Sequence, residues 1–337
     1  MIRSFLILIL FGIVACSKKE SAPTIPPVPA PPAPAPATSL IPLPAGWRVA
    51  SAYNTTFPQG IQLYQFDSIF NGQTVRAFCL VYDSRNSNFE FKPVLATTAK
   101  TVSAFVRDEP GQVYAGINAG FFGAPNQSFS LIQYSGAILS ANIKSVTRSF
   151  NGNNVPYFPT RAAFGLSSTG VPQVAWIYHV GSGNDLIYSY PSPSPNALGS
   201  APQAQPSASF PVGGSIWTTT SAVGGSPMLI RNGVVQITDT EELIAIDNNA
   251  NRPRSALGFN NNGMILLVAI EGDNLPNYPG ASLSTTAAMM LSLGCQGAIN
   301  LDGGGSTAMI VNNTSTVRAG GTGTERAVMS ALLIKRK

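Results

Sequence analysis

The sequence predicts a β-rich fold with few helices, and three observations point there. Short runs such as VRAFCLVYD, PVLAT and VYAGINAGFF are dense in β-branched and aromatic residues. Turn formers are abundant, with 32 Gly and 27 Pro breaking the chain into short pieces. One segment reads clearly as a helix: Thr285 to Leu293, with Ser284 placed to cap it and Gly294 to end it. A second short helix is expected around Thr98 to Val106. Charged residues make up only 10% of the chain, far below the roughly 25% of an ordinary soluble domain. Polarity comes from Ser, Thr, Asn and Gln instead, as suits an exported, turn-rich protein.

The elements follow in order. Residues 1–15 read as a lipoprotein signal peptide, with Arg3 ahead of an apolar run from Phe5 to Val14. That run is too short to span a bilayer comfortably. Ile13-Val14-Ala15-Cys16 resembles a bacterial lipobox, so Cys16 is the expected lipidation site. Residues 16–44 form a Pro/Ala-rich tether of polyproline II character. The globular domain is expected over 45–337, interrupted by a Pro/Ser-rich loop at 190–211. The localisation expected from these features is a lipid anchor on a bacterial outer membrane, periplasmic or surface-exposed.

A weak internal repeat raises the hypothesis of a duplication. RAAFGLSSTGVPQVAWI from Arg161 matches RSALGFNNNGMILLVAI from Arg254 in its Arg, Ala and two Gly positions. Upstream, SLIQYSGAIL resembles PMLIRNGVVQ, with Gly136 aligned on Gly233. Each half reads as hairpin followed by hairpin, although hairpins of any origin share such features.

Net charge is +5, but the basic residues are scattered except for Lys335-Arg336-Lys337. A nucleic-acid footprint needs a concentrated patch, so no such partner is expected. Cys79 and Cys295 lie among apolar neighbours and read as two buried thiols, with a disulfide left open. No Cys/His spacing points to zinc.

His179 is the only histidine, which excludes HExxH sites and multi-histidine metal clusters. It sits in the strand-like run VAWIYHV, where a structural role is the commoner one. Ser306 follows Gly305 without a GxSxG elbow, and no Lys follows the glycines as a phosphate-binding loop would require. The chemistry therefore falls to carboxylates. Asp302 and Glu271 each end an apolar strand, INLD and MILLVAIEG, and are the candidate catalytic pair. Gly303, Gly304, Gly305 and Ser306 follow Asp302, and their N–H groups are expected to gather around an anion. Asn118 and Gly120, in NAGFF, form a second polar turn, with the amide suited to a sugar hydroxyl. Arg254 is placed to grip phosphate bidentately, with Arg252 nearby.

These stretches resemble the phosphodiester glycosidase family, that of the "uncovering enzyme". The matching segments are GINAGFF, AVGGSPMLIRNG, RSALGF, the strand ending Glu271-Gly272, LSLGCQGAINLDGGGSTAM and ERAVMSALLI. They run from about residue 110 to the C-terminus. There are departures: the family more often has Asn-Gly-Gly at Asn118-Ala119-Gly120, Arg-Thr-Ala at Arg254-Ser255-Ala256, and Asp at Glu271. The resemblance implies an α+β domain on central mixed sheets and hydrolysis of a sugar-1-phosphodiester. Asp302 would activate water or stabilise the oxocarbenium-like centre, and Glu271 would be the second carboxylate. Arg254, Gly303, Gly304, Gly305 and Ser306 would hold phosphate, and Asn118 and Gly120 the sugar. No cofactor is required; a divalent metal between Asp302 and Glu271 is the alternative. The partners expected are a carbohydrate phosphodiester and a membrane. Two other functions stay open: a non-catalytic surface glycan-binding lipoprotein, and a hydrolase of another glycan phosphodiester polymer.

Overall fold

The computed structural model describes residues 38–274 and 276–337. The signal peptide, Cys16 and the tether up to residue 37 lie outside them. The compact unit begins at Ser39. Residues assigned to the end of the tether pack onto it: Ile41 is buried, and the Leu40 N–H donates to Tyr64 Oη at 2.8 Å. No helix among the described residues is long and apolar enough to cross a membrane.

Three large sheets build the domain. The central one has eight strands, in the order Trp47–Val49, Ile61–Phe70, Gln73–Asp83, Met264–Ile270, Arg254–Asn260, Cys295–Asn300, Met228–Arg231 and Val234–Val235. One face, with Leu80, Leu257, Leu267 and Ile299, packs against Phe164 and Trp176 of a seven-stranded sheet and Ile117 and Leu332 of a five-stranded one. The other face, with Val81, Leu266 and Val268, packs against Leu283, Ala287 and Met290 of the helix Leu283–Ser292. Burial on both faces explains why Met264–Ile270 is an unbroken apolar run rather than an alternating one.

Strand pairings among the described residues are antiparallel, where mixed sheets were expected. Met264–Ile270 and Cys295–Asn300 flank Arg254–Asn260 and run parallel to each other, and the helix Leu283–Ser292 carries the chain between them. That helix begins two residues earlier than the sequence suggested. Ser282, not Ser284, has the extended backbone of a cap, and its Oγ accepts from Thr285 N at 3.1 Å. The shorter helix is Val102–Asp108, because residues up to Lys100 remain in the strand Phe89–Lys100 and Thr101 is the cap.

The duplication has a topological counterpart. In the seven-stranded sheet, the hairpin Arg161–Leu166/Pro172–His179 adjoins Ser221–Gly224, which adjoins the hairpin Ile132–Tyr134/Ala137–Ser140. In the eight-stranded sheet, the hairpin Arg254–Asn260/Met264–Ile270 adjoins Cys295–Asn300, which adjoins Met228–Arg231/Val234–Val235. Order and sense are the same in both. The Pro/Ser-rich loop is tied down at several points: Ser194 and Asn196 are fully buried, and Tyr190 Oη donates to Ser207 O at 2.9 Å. Cys79 and Cys295 are both free and buried, and burial pushes both thiols up.

Candidate active site

Asp302 follows the strand Cys295–Asn300 as it leaves the eight-stranded sheet. The chain turns at once through the short helical turn Gly304–Ser306 and returns as Met309–Val311 in the five-stranded sheet. Only a residue without a Cβ adopts the turn easily, since Gly304 has φ +56°. Asp302 as a residue is only partly buried in this turn. Packing around it raises its pKa; the Ser306 hydroxyl, the Arg326 charge and the Gly303 N–H pull the other way. Gly303 N donates to Asp302 Oδ1 at 3.0 Å.

The glycine turn does not present a row of open donors. Besides Gly303, Gly304 N donates to Pro253 O at 2.8 Å and Ser306 N to Gly303 O at 3.1 Å. Gly305 alone of the four keeps an N–H without a partner among the described residues. The hydroxyls nearby supply what the backbone does not. Thr307 Oγ1 is buried and unpartnered, and the Ser306 hydroxyl lies beside the Asp302 carboxylate, whose pKa it lowers. Buried polar atoms are almost always matched, so an orphan hydroxyl on this turn marks a place for bound water or ligand.

Asn118 and Arg254 turn out to hold the site together rather than face a ligand. Asn118, wholly buried, donates from Nδ2 to Asp302 O at 2.6 Å, and its Oδ1 accepts from Ser255 Oγ at 2.7 Å and Ala308 N at 3.2 Å. Arg254 donates to four backbone carbonyls: Ala281 at 2.9 Å, Ile246 at 3.0 Å, Asp247 at 2.7 Å and Ala250 at 3.1 Å. With four of its five N–H groups taken and its pKa lowered to about 10 by burial, it is a strut for the 246–250 loop, not a phosphate clamp. Gly120 is required by packing, because a Cβ there would lie 2.2 Å from Ser130 Cβ.

Glu271 leaves the same sheet edge as Asp302, with one strand between them, so their backbones stand roughly 10 Å apart. Both of its oxygens are engaged. Oε1 accepts from Asn274 Nδ2 at 2.9 Å and Oε2 from Arg318 N at 3.1 Å, with Arg76 Nη1 at 3.9 Å. Glu271 thereby anchors the segment leading into the turn Ala319–Gly321, which packs on Gly304–Ser306. Among the described residues, no group of three or more His, Cys, Asp and Glu side chains gathers as a metal site would require.

Arg326 escaped the sequence reading. It is exposed, its guanidinium lies over the Phe122 ring at 5.0 Å, and its stem touches the turn at Gly305. Its charge reaches Asp302. The motif ERAVMSALLI contains it, but nothing in that string marks Arg326 apart from the strand it precedes. Arg252, by contrast, is paired with Asp247 and Asp273. His179 is structural: Nε2 accepts from Asn142 N at 3.1 Å and Nδ1 bonds Asn184 O at 2.6 Å.

Three solved structures share the fold. A hypothetical protein from Synechocystis aligns with TM-score 0.56 at 20% identity, over 84% of this chain and 63% of that one. This chain thus spans less than two thirds of that protein's length. The zebrafish N-acetylglucosamine-1-phosphodiester alpha-N-acetylglucosaminidase catalytic domain, auto-inhibited by its pro-peptide, aligns with TM-score 0.55 at 15% identity, over 86% and 88%. A putative exported protein from Burkholderia pseudomallei gives 0.51 at 18%, over 80% and 75%. No curated protein matches the sequence. The phosphodiester glycosidase family model matches residues 111–335, a span that runs from the strand bearing Asn118 through the Asp302 turn to the strand after Arg326. The chain belongs to the phosphodiester glycosidase family.

Proposed function

We propose that this protein hydrolyses a sugar-1-phosphodiester at the bond between the anomeric carbon and the phosphate oxygen. The observation that carries the reading is Asp302: a carboxylate with a raised pKa, an exposed Arg326 charge beside it, and an unpartnered Thr307 hydroxyl on the adjoining turn. Family membership supports the same reaction class.

The chemistry follows from the substrate. Phosphate leaves the anomeric carbon with the bonding electron pair, and the departing monoester is already a stable anion. A strong general acid is therefore less necessary than for an ordinary glycoside. Water supplies the new oxygen at the anomeric carbon. Asp302 takes its proton, or stabilises the positive charge that develops on the sugar. Arg326 and the Gly305 N–H face the phosphate, with Ser306 and Thr307 as further donors. Asn118 and Glu271 act as positioning residues, the first by fixing the Asp302 backbone and the second by fixing the turn that packs on it.

In the cell, the domain is exported and tethered through Cys16 to the outer membrane, on its periplasmic or outer face. Its partners are the membrane and a carbohydrate phosphodiester, not nucleic acid. The test is a panel of sugar-1-phosphodiesters, beginning with an alpha-N-acetylglucosamine one, with released sugar and phosphate monoester followed beside Asp302→Asn. Release that disappears in the variant supports the assignment. Near-normal turnover in Asp302→Asn overturns the role of Asp302, and no release from any substrate overturns the reaction.

A further inference from the structure

The two halves of the duplication carry one arginine each at the same place, and the two differ in one respect. Arg254 starts its strand opposite Ile270, and Arg161 starts its strand opposite Ile177. Arg254 is bonded to four carbonyls. Arg161 has a buried Nε that no group among the described residues accepts from. A position at the start of this strand therefore does not by itself leave a guanidinium unmatched.

The Glu242 charge acts on Arg161, but no hydrogen bond among the described residues joins the two. Glu242 is fully buried, and its oxygens are already saturated. Oε2 accepts from Ala162 N at 2.9 Å and Ser226 Oγ at 2.5 Å. Oε1 accepts from Met228 N at 2.7 Å, Thr238 Oγ1 at 2.7 Å and Trp176 Nε1 at 3.2 Å. Burial holds the Arg161 pKa down to about 10; the Glu242 charge pulls it up, and a second cation, Arg148, pushes it down. Arg148 is itself tied to Thr147 O at 3.0 Å and Leu243 O at 3.1 Å, whereas the buried Arg161 Nε stays unmatched, as buried polar atoms seldom do.

The Pro/Ser-rich loop brings two further unmatched groups to the same strand end. Ser194 N donates to Thr160 Oγ1 at 2.9 Å, one residue before Arg161, and Ser194 Oγ is buried without a partner. Asn196 Nδ2 donates to Glu241 O at 3.3 Å, and its Oδ1 is likewise buried and unmatched. An anion would satisfy Arg161 and the Ser194 hydroxyl. A ligand hydroxyl would satisfy Asn196 Oδ1. This end of the seven-stranded sheet adjoins the strand that delivers Asp302: Gly225 N donates to Ala162 O at 2.9 Å, and Ser226 N to Asn300 O at 2.8 Å.

We propose that Arg161, with Arg148, Ser194 and Asn196, forms an anion subsite for a phosphorylated saccharide, separate from the Asp302 turn. The Pro/Ser-rich loop is then a specificity element that completes the subsite. The choice of a saccharide phosphate rests on the hydrolase reading; the existence of the subsite does not.

The experiment is isothermal titration calorimetry of the protein carrying Asp302→Asn and Arg326→Gln, which removes turnover and the exposed cation beside Asp302. The probes are inorganic phosphate and glucose 1-phosphate, with sodium chloride at matched ionic strength as control. Adding Arg161→Gln is expected to weaken both probes about tenfold or more, the scale of one lost charge-assisted hydrogen bond. Asn196→Ala is expected to weaken glucose 1-phosphate alone, which distinguishes a saccharide ligand from free phosphate. Equal affinity with and without Arg161→Gln, or binding reproduced by chloride, overturns the subsite. If Arg161→Gln does not fold, Ser194→Ala takes its place: weaker phosphate binding supports the subsite and unchanged binding overturns it. Because binding is read without turnover, a failure of the hydrolase reading is seen separately.

Discussion

Asn118 Nδ2 reaches the backbone oxygen of Asp302 at 2.6 Å, and that contact ties the five-stranded sheet to the end of the eight-stranded one. The same amide accepts from Ser255 and from the Ala308 N–H, so one side chain fixes both ends of the glycine turn. Asn118→Ala would leave these buried groups unmatched at about 1–3 kcal/mol each. The expected result is a clear fall in denaturation midpoint together with a loss of turnover of about 10²-fold, the scale of a small misplacement of a reacting group. Unchanged turnover in a folded Asn118→Ala would show that the Asp302 backbone is held by other contacts.

Asp302 itself should behave in the opposite way towards stability. Burial raises its pKa above the unfolded value, so the carboxyl favours the folded state when protonated. That contribution is present below the unfolded pKa and is lost as pH rises through the folded one. At neutral pH Asp302 is a cost to the fold, and Asp302→Asn removes it. The variant is expected to denature at the same temperature or higher while losing about 10²–10⁴-fold in turnover. In the native protein, activity should rise with pH through the raised Asp302 pKa. A pH–rate profile whose acid limb lies at or below the ordinary carboxylate range would contradict this.

The sequence shows where the candidate carboxylates lie better than it shows what surrounds them. Asp302 and Glu271 are legible because each ends an apolar strand, and strand sense brings both to one sheet edge. The roles of Asn118, Arg254 and the glycine N–H groups are not legible. A buried Asn bonded three ways and an Asn facing a sugar give the same letter, and the partners lie far away in sequence: Asn118 to Asp302 spans 184 residues. Arg326 shows the converse. It matters because of a turn 20 residues earlier in the chain, and no local pattern marks it. The repeat shows in the sequence as four shared letters in one hairpin, yet its Arg, Ala and first Gly fall at matching strand positions in two sheets.

The two arginines at the site are expected to separate cleanly in mutagenesis. Arg326 is exposed and bears no hydrogen-bonded load on the fold. Arg326→Gln should leave the denaturation midpoint unchanged and lower kcat/KM by about 10–10²-fold, through weaker phosphate contacts. Arg254→Gln would strand four carbonyls around the 246–250 loop and should destabilise the protein by about 3–5 kcal/mol. Arg254→Lys should not rescue it, since an ammonium cannot span the four carbonyls as a planar guanidinium does. Denaturant titrations of the three variants beside steady-state kinetics decide it. A stable but inactive Arg254→Lys would return Arg254 to the phosphate.

His179 gives the protein a pH response unconnected with catalysis. It is the only histidine, it is buried, and its ring is held between Asn142 N and Asn184 O in a neutral form, with Nε2 as the acceptor. Burial lowers its pKa below the ordinary 6.5. The unfolded chain therefore takes up a proton before the folded one does, and stability falls as pH drops below about 6.5, levelling once the folded pKa is passed. Protonation would also turn Nε2 from acceptor to donor against the Asn142 N–H. His179→Gln, whose amide offers one donor and one acceptor, should flatten this part of the stability curve while leaving turnover at neutral pH unchanged. Denaturant titrations from pH 7.5 to 5 on both proteins test this, and parallel curves would mean that His179 is not the group responsible.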